Sequence, residues 1–252
     1  MNPIRTEHFI WSEERQLSRV HPLSANKRSS SMNIDGQLKF ESNRQAMLSH
    51  EKDLVVPKTR LGIWTDKGTS WFSTSEWDLF PGYYQKDSLL VSHAYHRKMH
   101  LLVTAFDRPD QSNLGFIRML TLKNQSDREL SFKLLLHQQS LLPQADEHVT
   151  FFVPEERALI HHQQYISTLV AARFSEDVAV RYEAGSFERN WDDTLGTIQF
   201  SPLASGSSES MIVIDVKMES GQELKGAMWV VSHDSLTGLE KAHLAIQQEL
   251  IM

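Results

Sequence analysis

The chain contains no cysteine, which excludes disulfide staples, thiolate nucleophiles and cysteine zinc sites together. No apolar run approaches the roughly 20 residues a membrane-spanning helix needs. The opening Met1-Asn2-Pro3-Ile4-Arg5 lacks the apolar stretch of a secretory signal, so the expectation is a soluble, cytoplasmic protein with no membrane partner. Basic charge is not in excess: 26 Lys+Arg stand against 32 Asp+Glu, a formal net charge of -6. That balance argues against nucleic acid, which calls for a basic footprint, and Lys27-Arg28 and Arg97-Lys98 are too short to supply one. Phosphate-binding glycine loops and a Gly-x-Ser-x-Gly elbow are missing as well. No Gly/Ser-rich linker divides the body, and 252 residues are enough for one large core without staples.

What is present is alternation. Phe132, Leu134 and Leu136 oppose Ser131, Lys133 and His137; Val178, Val180 and Tyr182 oppose Asp177, Arg181 and Glu183; Ile212, Ile214, Val216 and Met218 oppose Asp215 and Lys217. A period of two is that of a half-buried strand. Met99, Leu101, Val103 and Ala105 form another row, and Leu102 and Phe106 make its other face apolar too, as in a strand between two packed layers.

Turn residues separate these runs: Asp66-Lys67-Gly68, Asn124-Gln125-Ser126-Asp127, Pro154-Glu155-Glu156 and Glu219-Ser220-Gly221. Punctuation at roughly ten-residue intervals marks an all-β sandwich or barrel. Asn124-Gln125-Ser126 is formally a glycosylation sequon, read here as a turn. Three zones follow: an irregular arm over residues 1–30, with an edge strand possible around Phe9–Trp11; a β-sandwich over 31–233; and a helix over 234–252. In that tail Leu236, Leu239, Ala242, Ile246 and Leu250 keep helical spacing, and Thr237 with Glu240 offers a capping box.

Leu61-Gly62-Ile63-Trp64-Thr65-Asp66-Lys67-Gly68 with Ser70-Trp71 resembles a hairpin of the N-terminal sandwich in bacterial glucoamylase- and glucodextranase-type enzymes of glycoside hydrolase family 15. The resemblance runs on through Asp87–Val91, Arg118–Arg128, Pro154–His161, Trp191-Asp192-Asp193 and Trp229-Val230-Val231. It implies an all-β fold, a large two-sheet antiparallel supersandwich of the galactose mutarotase-like kind, with a C-terminal helix. In that family the hydrolytic glutamates sit in a following α/α barrel, so none is carried over to this chain. Gln138 and Gln139 stand where the family pattern has a His and an Asp, and Val153 where an acidic residue is usual. Both changes put in doubt the polar contacts that pattern makes.

No residue set assembles convincing catalysis. His93, His96 and His100 cluster, but on adjacent strands joined by Arg97-Lys98 they point to different faces, and the plainer reading is solvated or capping imidazoles rather than a metal site. His161-His162 are consecutive on a strand and point oppositely. Asp192-Asp193, Glu155-Glu156 and Asp146-Glu147 are turn carboxylates, whereas glycosidases hold two acids about 5 Å or about 6.5–9.5 Å apart across the sugar. No metal or cofactor is expected.

Aromatic residues are the lead for binding. Trp64 and Trp71 fit core filling, while Trp77, Phe80, Tyr83 and Tyr84 surround Pro81-Gly82 in a loop-like setting and are the candidates to stack on sugar. The leading expectation is a non-catalytic, carbohydrate-associated module with an oligosaccharide ligand. It would pack against a separate glycoside hydrolase catalytic barrel, or against itself, through Leu239, Ile246 and Leu250. The alternative is a sugar-modifying enzyme of the aldose mutarotase type using the sandwich cleft, with His137, His161, Glu155 and Glu183 as acid/base candidates.

Overall fold

The computed structural model describes residues 29–33, 37–41, 58–84, 89–109, 115–139, 148–163, 166–175, 178–207 and 209–250. In chain order come β1 (Ser29–Asn33), β2 (Gln37–Glu41), β3 (Lys58–Thr65), β4 (Gly68–Trp71), β5 (Trp77–Tyr84), β6 (Leu89–His96), β7 (Leu101–Pro109), β8 (Gly115–Asn124) and β9 (Leu130–Gln139). Then follow β10 (His148–Val153), β11 (Ala158–Gln163), β12 (Ile166–Phe174), β13 (Val180–Ala184), α1 (Phe187–Asn190), β14 (Trp191–Asp192), β15 (Thr197–Ile198), β16 (Leu203–Ser205), β17 (Glu209–Met218), β18 (Glu223–His233) and α2 (Leu236–Glu249). The arm around Phe9–Trp11 lies outside the described residues.

Two large sheets carry the molecule. One has nine strands in the order β16-β10-β11-β12-β18-β8-β7-β6-β5, the other five in the order β13-β17-β9-β3-β4. The pairings within them are antiparallel. Alternation along each strand decides which side chains meet. On β9, Leu134 sits in register between Ile63 of β3 and Ile214 of β17. These residues join Leu61, Leu136 and Ile212 against Leu120, Leu122, Val170 and Val230 of the larger sheet. Each such burial stabilises the sandwich by roughly 1.5–3 kcal/mol.

One charged pair interrupts this apolar filling. Arg118 of β8 is fully buried and grips Asp107 of β7 with two bonds, Nε to Oδ1 at 2.7 Å and Nη2 to Oδ2 at 2.8 Å. The planar guanidinium matches the carboxylate fork, which is the geometry that makes burial of both charges tolerable.

The second apolar layer lies over β12 and β18 rather than over β7, whose outer residues Leu102, Thr104 and Phe106 are half-buried. Helix α2 supplies it. Leu239, Ile246 and Leu250 are buried against Ile117, Ile160, Leu169, Ala171, Trp229 and Val231 on the outer face of the nine-stranded sheet. This corrects their expected role: the apolar stripe of α2 is covered by the chain's own sheet and is not left for a partner. Helical spacing predicts an apolar stripe but not which surface covers it. The cap also differs from expectation. Ser235, not Thr237, starts the helix, its side chain accepting from the Gly238 N–H at 3.2 Å.

The turns behave as their residues dictate. Asn124 is fully buried, donating from Nδ2 to the carbonyls of Arg128, Met218 and Glu219 and accepting at Oδ1 from Ser126, so the sequon is a structural turn pin. Pro81-Gly82, in contrast, is no loop. Both residues continue β5, the edge strand beside β6, where a missing N–H is tolerated. No helix among the described residues is long and apolar enough to cross a membrane.

Candidate ligand groove and the scattered acid/base candidates

The sandwich is open at the end where β10 turns into β11. There Phe152, Ala172, Phe174, Val178, Val180 and Tyr182 line one side of a cavity of about 740 Å³. Pro154, Glu156, Arg157, Arg173, Ser175, Trp229 and Gln247 complete it. That volume lies inside the range of about 300–1,000 Å³ usual for small-molecule sites. The groove curves round the sheet end, from the sandwich interior to the flank of α2.

Its wall is aromatic. Phe152 of β10 and Tyr182 of β13 stack with ring centroids 4.8 Å apart and planes 17° from parallel. Tyr182 is nearly buried, its hydroxyl reaching the Ala172 carbonyl at 3.4 Å, and burial pushes its phenol up to about 12. Phe174 occupies the space a Cβ at Gly226 would need, and the two residues are paired in register between β12 and β18. Glycine at 226 is therefore what lets the ring lie flat against the sheet.

Its polar rim is built by a turn and a helix. Arg157 closes the four-residue turn that begins at Pro154, its N–H donating to the Pro154 carbonyl at 3.2 Å, and holds φ at 47°, in the left-handed region. Behind Glu156 stands His243 of α2, fully buried. The Trp229 indole N–H donates to His243 Nδ1 at 3.0 Å. Indole nitrogen is a donor alone, so Nδ1 is the accepting nitrogen and the proton of the neutral ring sits on Nε2. That atom faces Glu156 Oε2 at 3.3 Å, and the Gln247 amide, 2.9 Å away, accepts from it only with its oxygen turned toward the ring, since an amide nitrogen donates. Burial lowers the imidazole below its ordinary value, with Glu156 opposing.

The aromatic candidates from sequence lie elsewhere. Trp77 is a core residue: its ring packs on Phe72 at 4.3 Å and edge-on to His96 at 4.9 Å, and its N–H donates to Ser70 Oγ at 3.0 Å. Its face is not available to a sugar, because alternation on β5 turns it inward. Phe80 follows the inward-facing Leu79 on β5, so alternation turns it outward, and it is exposed at the sheet edge. Tyr83 and Tyr84 continue β5, and their side chains lie outside the described part. Trp64 and Trp71 pack on the outer face of the five-stranded sheet with Phe187, Trp191 and Ile198.

The acid/base candidates do not converge. His137 lies on that same outer face beside Trp71 and Phe187, with Nε2 3.2 Å from Glu209 Oε2. His161 lies between the sheets, bonded through Nδ1 to Thr150 Oγ1 at 3.1 Å and through Nε2 to Ser210 Oγ at 2.8 Å. Burial there pushes its imidazole down to about 3. Glu155 is exposed in the β10–β11 turn. Glu183 is buried, accepting from Asn190 Nδ2 at 2.9 Å and from the Ser201 N–H at 2.7 Å, and burial raises its carboxyl to about 7. The mutarotase-type assignment of these four is thus corrected. The His–carboxylate contacts among the described residues join His137 to Glu209, His243 to Glu156, His233 to its neighbour Asp234 and, at 3.8 Å, His96 to Glu76. No three His, Asp or Glu side chains among the described residues gather as a metal would require.

No family model and no curated protein matches the sequence. Solved structures do match in shape. A bacterial glucoamylase complexed with acarbose aligns with a TM-score of 0.63 at 9% identity, covering 88% of this chain and 32% of that one. A candidate kojibiose phosphorylase from the human microbiome aligns with a TM-score of 0.57 at 9% identity, covering 89% and 32%. The chain thus spans about a third of the length of each of these proteins. It has the fold of a large two-sheet antiparallel β-sandwich.

Proposed function

We propose that the chain is a non-catalytic carbohydrate-binding module, accessory to a separate catalytic barrel, and that the groove between Phe152, Tyr182 and the Pro154–Arg157 turn is its saccharide site. The observation that carries this reading is the pairing of a stacked aromatic wall with a rim of Glu156, Arg157, Arg173, Ser175 and Gln247 around about 740 Å³. Sugar rings combine apolar C–H faces with hydroxyl edges, and such a cavity meets both. Glu156 is the one carboxylate among the described lining residues, whereas glycoside hydrolysis uses a pair. Because α2 has its stripe already covered, a barrel would dock elsewhere than on Leu239, Ile246 and Leu250.

Titration calorimetry with a panel of oligosaccharides tests the reading. Binding that weakens at least about 10-fold in Phe152→Ala, with no release of reducing sugar by either protein, is the expected result. Absence of binding by every saccharide at millimolar concentration would remove it.

A further inference from the structure

We infer that the groove selects saccharides bearing an anionic group, a carboxylate, phosphate or sulfate, through Arg157 and Arg173; this rests on the groove being the saccharide site. Among the described residues the lining holds two guanidinium groups and one carboxylate. The carboxylate is engaged, since Glu156 Oε2 faces the proton-bearing Nε2 of His243 at 3.3 Å, itself fixed by the Trp229 N–H at 3.0 Å. The guanidiniums are not. Neither Arg157 nor Arg173 forms an ion pair with a described residue, whereas Arg60, Arg97, Arg108, Arg118 and Arg181 each hold a carboxylate or a ring. The two flank the cavity: Arg173 stands next to Ala172 on β12, and Arg157 lies close enough to Tyr182 for its charge to oppose the effect of burial on the phenol.

Arg157 carries a second mark. Its φ of 47° is a conformation that glycine adopts freely and a residue bearing a Cβ adopts at a cost. A turn closing on a left-handed residue ordinarily takes Gly or Asn. Strain of this kind, held in place by surrounding structure, gathers at ligand sites. An arginine here gives up local stability and adds to the cavity lining a planar, five-donor fork, the shape that reads carboxylate and phosphate oxygens in pairs.

The distinguishing variant is Arg157→Gly, which relieves the backbone while removing the fork. On the full chain, calorimetry compares trigalacturonate, glucose 6-phosphate, maltotriose and inorganic phosphate, and scanning calorimetry gives Tm. The expected pattern is trigalacturonate or glucose 6-phosphate binding at least about 10-fold tighter than maltotriose, with that preference falling about 10-fold in Arg157→Gly and in Arg173→Gln. Maltotriose affinity falls by less than that of the acidic sugars in both variants, and the Tm of Arg157→Gly is unchanged or higher by about 1–3 °C. Equal affinity for maltotriose and the acidic sugars overturns the anion selectivity while leaving the carbohydrate reading intact. Inorganic phosphate binding as tightly as glucose 6-phosphate reduces the site to an anion patch and overturns it too. No binding by any of the four removes both readings. A Tm lowered in Arg157→Gly would show that the arginine serves the fold, against the inference.

Discussion

His161 sets a measurable acid limit on the sandwich. Thr150 Oγ1 donates its one proton to the Ser207 carbonyl at 2.9 Å, so toward His161 it accepts, and Nδ1 carries the imidazole proton. Nε2 is then the acceptor for Ser210 Oγ–H at 2.8 Å. The neutral ring is fully satisfied between the sheets, and burial first, then His148 and His137, pushes its protonation down from 6.5 to about 3. In the unfolded chain the ring takes a proton below about pH 6.5. The stabilising contribution is therefore complete above that pH and drains away as pH falls toward 3. Between pH 7.5 and 5 the loss is about 2 kcal/mol, from ~1.4 kcal/mol for each pH unit below the ordinary value. Urea unfolding followed by tryptophan fluorescence at both pH values, in wild type and His161→Gln, isolates it. The other histidines titrate in both proteins and cancel. Wild type should lose about 2 kcal/mol more than the variant. Equal losses would mean that the folded sandwich accepts the proton, and the argument from burial would fail.

Glu183 slopes the opposite way. Its carboxyl is raised from 4.5 to about 7 by burial, so stability present at pH 4.5 is lost as pH rises through 7, by up to about 3 kcal/mol; Glu183→Gln should flatten that decline between pH 5 and 8, and parallel curves would count against it. Removing one partner of the buried Arg118–Asp107 pair, as in Asp107→Leu or Arg118→Met, should cost about 3–5 kcal/mol in urea unfolding, and the double variant should recover most of it. A double variant no better than the singles would show that further contacts hold the guanidinium. Ile246→Ala, at the contact between α2 and the nine-stranded sheet, should cost about 2–5 kcal/mol; a loss below about 0.5 kcal/mol would mean that the helix is not docked in solution.

The sandwich was legible where one face alone is buried. Val216 and Met218 on β17 and Phe132 and Leu134 on β9 alternate with Asp215, Lys217, Ser131 and Lys133, whereas Leu135 and Val213 break the pattern because the outer face there carries the apolar cluster around Trp191. Pro81-Gly82 misled because turn residues at a sheet margin obey the same local chemistry as a loop, and nothing local says that β6 lies alongside. Ser235 and Thr237 are both competent caps, and the His233 ring packed on Gly238 helps decide between them. The groove was hidden for another reason. Phe152 and Tyr182 read separately as strand residues, and only the stacking of two sheets puts their rings in parallel. Glu156 read as a solvated turn acid since its partner, His243, arrives from the last helix. The turn at Pro154 was visible, but the left-handed backbone of Arg157 is a property of coordinates, because an arginine there goes against local preference.

Pro81 on the outermost strand has a bearing on company as well as on folding. The nine-stranded sheet presents two margins: at one lies β5, interrupted by a residue without an N–H, and at the other β16, three residues long. A neighbouring molecule that tried to lengthen the sheet would meet a broken ladder on one flank and a stub on the other. Among the described residues, strand addition to this sheet is thereby disfavoured at both margins, which leaves recognition there to side chains on its faces and at the groove.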